Sequence, residues 1–275
     1  MLNKDWTGER LEPFVVGDAA IDHLHRYAAV FDLVAGKVIL DIASGEGYGT
    51  HLLAGHAARV IGVDISAETI SEASKRYQKS NLNFVEGSVS AIPLPDHSVD
   101  AVVSFETLEH HNKHQEMFRE IIRVLKQDGF LVMSTPDKAI LDTWAGHTNI
   151  YHVKELYTQE FKSLVESHFR NVNYYRQKVV AGSLIVPEAG SFQFRSFSGS
   201  FNHVQQSEGL FESVFNICIA SNSSAFSFPA SFFDGRETME RYYRETLRET
   251  KFYRYGYLLL NPFVRIRRLF RKLFK

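Results

Sequence analysis

Residues 38–50 read VILDIASGEGYGT. An apolar run closes on Asp41, and Gly45, Gly47 and Gly49 follow at alternate positions. Glycine at a strand-to-helix turn lets the backbone come close to a ligand, because a Cβ there would collide with it. The stretch therefore predicts a strand, a nucleotide-binding turn and the start of a helix. Its spacing is G-x-G-x-G, not the G-x-G-x-x-G of dinucleotide folds, and no G-K-[ST] follows. The missing lysine argues against a phosphate-binding P-loop.

Working outward, strand-like runs occur at 38–42, 60–64, 82–86, 99–105 and 129–135, with helical patterns at 48–57, 67–79 and 113–126 between them. This alternation predicts βαβ units and a mostly parallel sheet, with the glycine turn where such sheets bind nucleotides. Residues 18–35 predict a helix over the site and 158–169 another helix. Residues 171–180 and 210–221 predict two closing strands. Between those strands, residues 181–210 are rich in Gly, Ser and Phe with little periodicity, and read as an inserted loop or small hairpin near the pocket. Asp64 ends the second strand, 19 residues after Gly45. A carboxylate there can accept from both ribose hydroxyls of an adenosine.

The 275 residues suffice for one large α/β domain with decorations. Apolar residues make up 44% and charged residues 23%, the balance of a soluble globular protein. The single cysteine, Cys218, excludes an internal disulfide and fits a reducing cytosol. The first ten residues lack the apolar core of a signal peptide, and no apolar run approaches the ~18 residues of a membrane span, so a cytoplasmic protein is expected. The net charge of -1 conceals an asymmetry: residues 251–275 hold eight Lys/Arg and no acid. An acidic body with a basic tail predicts an anionic partner for the tail.

Four segments, VILDIASGEGYGT, VIGVDIS, NFVEGSVSAIPLPDHSVDAVVSFETLEHH and EIIRVLKQDGFLVMSTPD, occur in this order. Together they resemble the successive motifs of class I S-adenosylmethionine-dependent methyltransferases over about residues 20–170. The flanks TGERLEP, HLHRYA and YHVKEL are similar to bacterial members associated with surface-polysaccharide synthesis. The resemblance implies an α/β Rossmann-like fold, a mostly parallel seven-stranded sheet with helices on both faces. It also implies a cap at 1–35, a methyltransferase domain at 36–235 and a helical basic tail at 236–275. The implied cofactor is S-adenosyl-L-methionine. Asp41, Ala43, Gly45, Gly47 and Gly49 would surround its methionine part, Asp64 its ribose and Ile65 its adenine. Relatives commonly carry Asp where this chain has the shorter Ser88, with the Val89 amide next to it. Phe105 and Glu106 would lie beside the sulfonium, and Arg10, Arg26 and Tyr27 would approach the cofactor carboxylate.

If the acceptor is a sugar hydroxyl, a general base helps remove its proton, and histidine suits neutral pH. His110, His111 and His152 are the candidates, with His152 favoured. His110 and His114 have helical ligand spacing, but no dense carboxylate set accompanies them and no metal is expected. In residues 263–275, Ile266, Leu269, Phe270, Leu273 and Phe274 form one apolar helical face, with basic residues on the others. That pattern suits an anionic membrane surface. A helix docked on the protein's own acidic body or on a partner subunit is the alternative; nucleic acid is not expected. The function expected is O-methylation of a sugar of a surface glycan or its lipid-linked precursor at the inner membrane face. A quinone-type acceptor, a cofactor-binding scaffold without turnover and a homo-oligomer stay open.

Overall fold

The computed structural model describes Leu11 and residues 17–143, 149–180, 183–188, 195–200, 203–210 and 212–249. Arg10 and the basic segment 263–275 lie outside the described residues. The strands are β1 (Val38–Ile42), β2 (Arg59–Asp64), β3 (Leu82–Glu86), β4 (Val99–Phe105), β5 (Leu125–Pro136), β6 (Asn171–Val179), β7 (Ser183–Pro187), β8 (Arg195–Ser200), β9 (His203–Glu208), β10 (Phe215–Ser221) and β11 (Ser231–Phe233). The helices are α1 (Asp18–Ala29), α2 (Phe31–Val34), α3 (Tyr48–Leu53), α4 (Ala67–Arg76), α5 (His114–Val124), α6 (Lys138–Leu141), α7 (Thr158–Glu166) and α8 (Arg236–Glu249), with a 3₁₀ turn at Leu108–His110.

The main sheet runs β11-β7-β6-β10-β5-β4-β1-β2-β3. Strands β1 to β5 pair in parallel, and β10 enters antiparallel between β5 and β6. The expected Rossmann-like fold is present, but the sheet has nine strands rather than seven. Two added edge strands make the difference, one of them from the insertion. Its segment SLIVP turns back as β7 along β6, pairing Val179 with Ser183 through Tyr175 with Pro187. β11 then adds to β7. Three consecutive apolar residues in a polar, glycine-rich stretch carry little periodic signal, and pairing with β6 supplies the order. Further along the insertion, β8 and β9 form the expected hairpin. The predicted helix at 18–35 is broken into α1 and α2.

Both faces of the sheet are buried, so its central strands are apolar at successive positions. In β4, Val102 faces a core built with Met117, Phe118 and Ile121 of α5 and Phe161 and Val165 of α7. Ala101 and Val103 face the opposite core, with Tyr27 of α1, Val34 of α2 and Leu53 of α3. Phe118 is fully buried, stacked on His168 and edge-on to Phe169. Phe118→Ala should destabilise the chain by about 3–5 kcal/mol through lost burial and a residual cavity. Urea unfolding measures this, and a loss below about 1 kcal/mol would show that the α5 face does not anchor the sheet.

Candidate cofactor and acceptor site

A cavity of about 520 Å³ opens at the carboxyl ends of β1, β2, β3 and β4. This is the crevice expected where strand order reverses in an open α/β sheet. The turn after β1 supplies Ala43, Ser44 and Gly45; the end of β2 supplies Asp64 and Ile65; the turn after β3 supplies Ser88 and Val89; the end of β4 supplies Phe105, Glu106 and Thr107. Helix α1 closes one side with His23 and Tyr27, while His110, His111, Lys113 and Tyr151 complete the rim. Ala43 (φ 60°) and Glu106 (φ 52°) both adopt left-handed backbone where their strands end. Such strain in non-glycine residues persists only where the surroundings impose it.

Asp64 is the clamp of this site. One oxygen accepts from Gly45 N at 3.0 Å and the other from Ser66 N at 3.0 Å. A carboxylate has about four acceptor positions, so one side chain can both brace these turns and accept from a ligand hydroxyl. The three glycines divide their work differently from the sequence expectation. Only Gly45 (φ +50°) faces open space, with nothing within 4 Å of an added Cβ. A Cβ on Gly47 would stand 2.7 Å from the Phe84 ring, and one on Gly49 1.9 Å from the Tyr27 ring. Gly47 and Gly49 therefore let rings pack against the turn and α3, and do not line the cavity.

Two further expectations change. Asp41 lies behind the wall, accepting from Thr50 Oγ1 at 2.6 Å and Tyr27 Oη at 3.3 Å. Burial pushes its carboxyl up to about 7, against the pull of those two donors. Arg26 also lies off the wall, 1% exposed. It donates to Gln177 Oε1 at 2.8 Å and Asp22 Oδ1 at 3.3 Å, and approaches Glu106 Oε1 at 3.9 Å. The resemblance put Arg26 at the cofactor carboxylate, but tertiary packing points it at Gln177 of β6. Its influence on the cavity runs through Glu106, which also accepts from Ser134 Oγ at 2.5 Å.

The histidines separate by their hydrogen bonds. His111 Nδ1 accepts from Lys113 N at 3.1 Å, so the neutral ring carries its proton on Nε2. Burial, then the charges of His114 and His110, lower its pKa to about 4. At neutral pH His111 is thus a donor and not the general base considered from sequence. His110 Nδ1 meets the Tyr151 carbonyl at 3.3 Å, and His152 Nδ1 meets Glu155 Oε1 at 2.6 Å. Both bonds need the proton on Nδ1 and leave Nε2 with a lone pair. His110 lines the cavity; His152 packs edge-on behind it, ring centroids 5.2 Å apart. His114, whose helical spacing from His110 carries no metal expectation in the sequence, is buried with Nε2 on the Leu108 carbonyl at 2.9 Å. Sequence reasoning missed Ser44, Tyr48, Thr107 and Tyr151 on the wall. Ser44 and Tyr48 lie within the glycine stretch itself and could have been found there.

Residues 40–133 match the model of a methyltransferase domain. A probable S-adenosylmethionine-dependent methyltransferase of Mycolicibacterium smegmatis is 33% identical over 164 residues, 58% of this chain and 63% of the relative. The phthiotriol/phenolphthiotriol dimycocerosates methyltransferase of Mycobacterium tuberculosis is 32% identical over 114 residues, 41% of this chain and 42% of that protein. The chain thus spans less than two thirds of the length of these curated relatives. A solved methyltransferase structure from Thermotoga maritima, described as a possible histamine N-methyltransferase, superposes with a TM-score of 0.53. It is 19% identical and covers 73% of this chain and 89% of its own. The fold is Rossmann-like, as in that structure, and residues 40–133 match a methyltransferase domain; the Mycolicibacterium smegmatis relative is described as S-adenosylmethionine-dependent.

The cavity suits that cofactor. Ser44 Oγ and His111 Nε2 are buried and lack a hydrogen-bond partner among the described residues, although both residues line the wall. Buried polar atoms of this kind call for a partner from a ligand. Ile65, 72% exposed, offers an apolar face to an aromatic base beside Asp64. Ser88, where the resemblance implied an Asp, closes its own turn: its hydroxyl accepts from Ser90 N at 3.3 Å and contacts Ser90 Oγ at 3.1 Å.

Asp64→Asn should weaken S-adenosylhomocysteine binding by more than about tenfold, since charge-assisted hydrogen bonds contribute about 1.5–3 kcal/mol. Calorimetry measures it, and unchanged affinity would remove Asp64 from the ribose position. Asp41 gives a pH signature. The folded chain holds its proton up to about pH 7, whereas an unperturbed Asp releases it near 3.8. The stability this contributes is fully present below the lower value and is lost as pH rises through the upper one. Asp41→Asn should therefore gain stability relative to the parent as pH rises from about 4 to about 7, and no further above that. Parallel stability profiles would contradict the buried, protonated carboxyl.

Proposed function

We propose that the chain transfers the methyl group of S-adenosyl-L-methionine to a hydroxyl of a lipid-linked acceptor, a sugar of a bacterial surface glycan or its precursor. Bound S-adenosyl-L-methionine supplies a methyl already activated on a sulfonium. The protein's part is to align the acceptor, a positioning effect of about 7–11 kcal/mol. Asp64 and Ile65 hold the nucleoside. His110, on the cavity wall with its Nε2 lone pair, is the base within the site, a role typically worth about 10²–10⁴-fold. His111 donates to a polar atom of the ligands.

The observation that carries the acceptor class is the segment beside His110. Ile150 is 82% exposed, Val153 62%, and Tyr151 and Tyr157 are also exposed. An apolar surface next to the cavity rim suits an acceptor with an apolar portion. The polysaccharide-associated flanks favour a sugar as the reacting part. A lipid-soluble small molecule of quinone type is the second reading, favoured by the same segment and by the relative named for phthiotriol dimycocerosates. No helix among the described residues is long and apolar enough to cross a membrane. The basic, apolar-faced residues 263–275 supply peripheral attachment to an anionic inner leaflet in this proposal, each charge adding about 1 kcal/mol near that surface.

Incubation with S-adenosyl-L-methionine and extracted lipid-linked glycan should release S-adenosylhomocysteine. Release with quinone precursors alone would select the second reading, and no release with any acceptor despite tight cofactor binding would select a scaffold. Deleting 263–275 should abolish sedimentation with anionic vesicles while cofactor affinity stays unchanged; persistent sedimentation would refute the attachment.

A further inference from the structure

Glu109 sits in the 3₁₀ turn, 2% exposed, with Oε2 accepting from Thr135 Oγ1 at 3.2 Å. Its main-chain carbonyl receives the amides of Val153 at 2.7 Å and Lys154 at 3.0 Å. Those two bonds dock the 149–156 segment onto the turn and bring His152 against His110. One ligand atom from each of Glu109, His110 and His152 then lies within 4.8 Å of the others. Yet the nearest approach of His110 Nε2 to Glu109 Oε1 is 3.9 Å, beyond hydrogen-bond reach. The three groups thus converge on a shared point.

The Nδ1 atoms carry the argument further. His110 directs Nδ1 to a main-chain carbonyl and His152 directs Nδ1 to a carboxylate. Histidines that ligate a metal almost always donate their other nitrogen in these ways, which fixes the tautomer and raises the basicity of the ligating nitrogen. Glu155 is itself steadied by Lys138 Nζ, 3.9 Å from its other oxygen. We propose that Glu109, His110 and His152 bind a first-row divalent cation of the Zn²⁺ or Co²⁺ type at the rim of the cavity. Two imidazoles and one carboxylate are a donor set for such ions; Mg²⁺ takes oxygen ligands. Bonds of about 2.0–2.2 Å would draw the three atoms inward, a small torsional change for the partly exposed His110 and His152. Three protein ligands leave an open position. With the ion bound, His110 Nε2 is a ligand and no longer the base; in the methyltransferase reading, on which this role rests, a hydroxyl of the acceptor would take the open position and, so polarised, lose its proton to water.

The test uses tag-free, full-length protein stripped by a chelator. Zn²⁺ is titrated by calorimetry and Co²⁺ by its visible absorption, with S-adenosylhomocysteine titrated in parallel and folding followed by circular dichroism. One equivalent of ion should bind. His110→Gln and His152→Gln should each weaken binding by more than about 100-fold, and Glu155→Gln by about 10- to 100-fold. His56→Gln, a histidine stacked on Phe31 away from the cavity, should change nothing. Absence of stoichiometric binding, or binding that folded His110→Gln and His152→Gln proteins retain, would overturn the site. Ion binding without S-adenosylhomocysteine binding would sink the methyltransferase reading and leave the ion site standing; the converse would do the opposite.

Discussion

The Asp64 carboxylate accepts from the amides of Gly45 and Ser66 and so ties the turn after β1 to the turn after β2. The parallel register sets this up, pairing Asp41 with Gly62 and Ile42 with Val63. Asp64 then emerges one step beyond the last pair, level with the glycine turn. The Ser44 amide extends the ladder to the Val63 carbonyl at 3.0 Å. With β4 on the other side of β1, the helices leave on opposite faces and the crevice opens between them. Loss of the register would displace the clamp, the Ile65 face and the Gly45 opening together.

Behind the wall lies a second, more costly arrangement. Arg26, Asp22 and Gln177 are buried together, and Arg26 reaches toward Glu106. Burial raises the Asp22 carboxyl to about 7 even though Arg26 pulls the other way. A buried charge is kept only where hydrogen bonds satisfy it, and removing one partner strands the rest. The network links α1 to β6 and steadies Glu106, whose left-handed backbone turns the chain away from β4. The Glu106 side of the cavity thus inherits its shape from residues that do not line it.

Much of the fold was legible because its signals are local. Apolar runs of strand length, helical spacing and the order of the motifs placed β1 to β5 and α3 to α5 close to their observed limits. The edge was not legible. β7 and β11 have three strongly apolar residues or fewer between polar stretches, and their order comes from pairing with β6 and with each other. Within the site, Asp64, Ile65, Val89 and Phe105 could be read from strand ends, since a residue just past a parallel strand faces the crevice.

The sequence by itself determined the class of fold and the meeting of Gly45 and Asp64 at the cavity, because a glycine turn and a strand-end acid are properties of short segments. Only the tertiary structure decided how the glycines share their work, since Phe84 and Tyr27 come from other elements. It also decided that Arg26 serves β6 and that His111 donates, because a side chain's role follows from the partners that packing brings to it. The convergence of His152 with Glu109 and His110 belongs to the same category: it depends on two amides of a distant segment closing on one carbonyl.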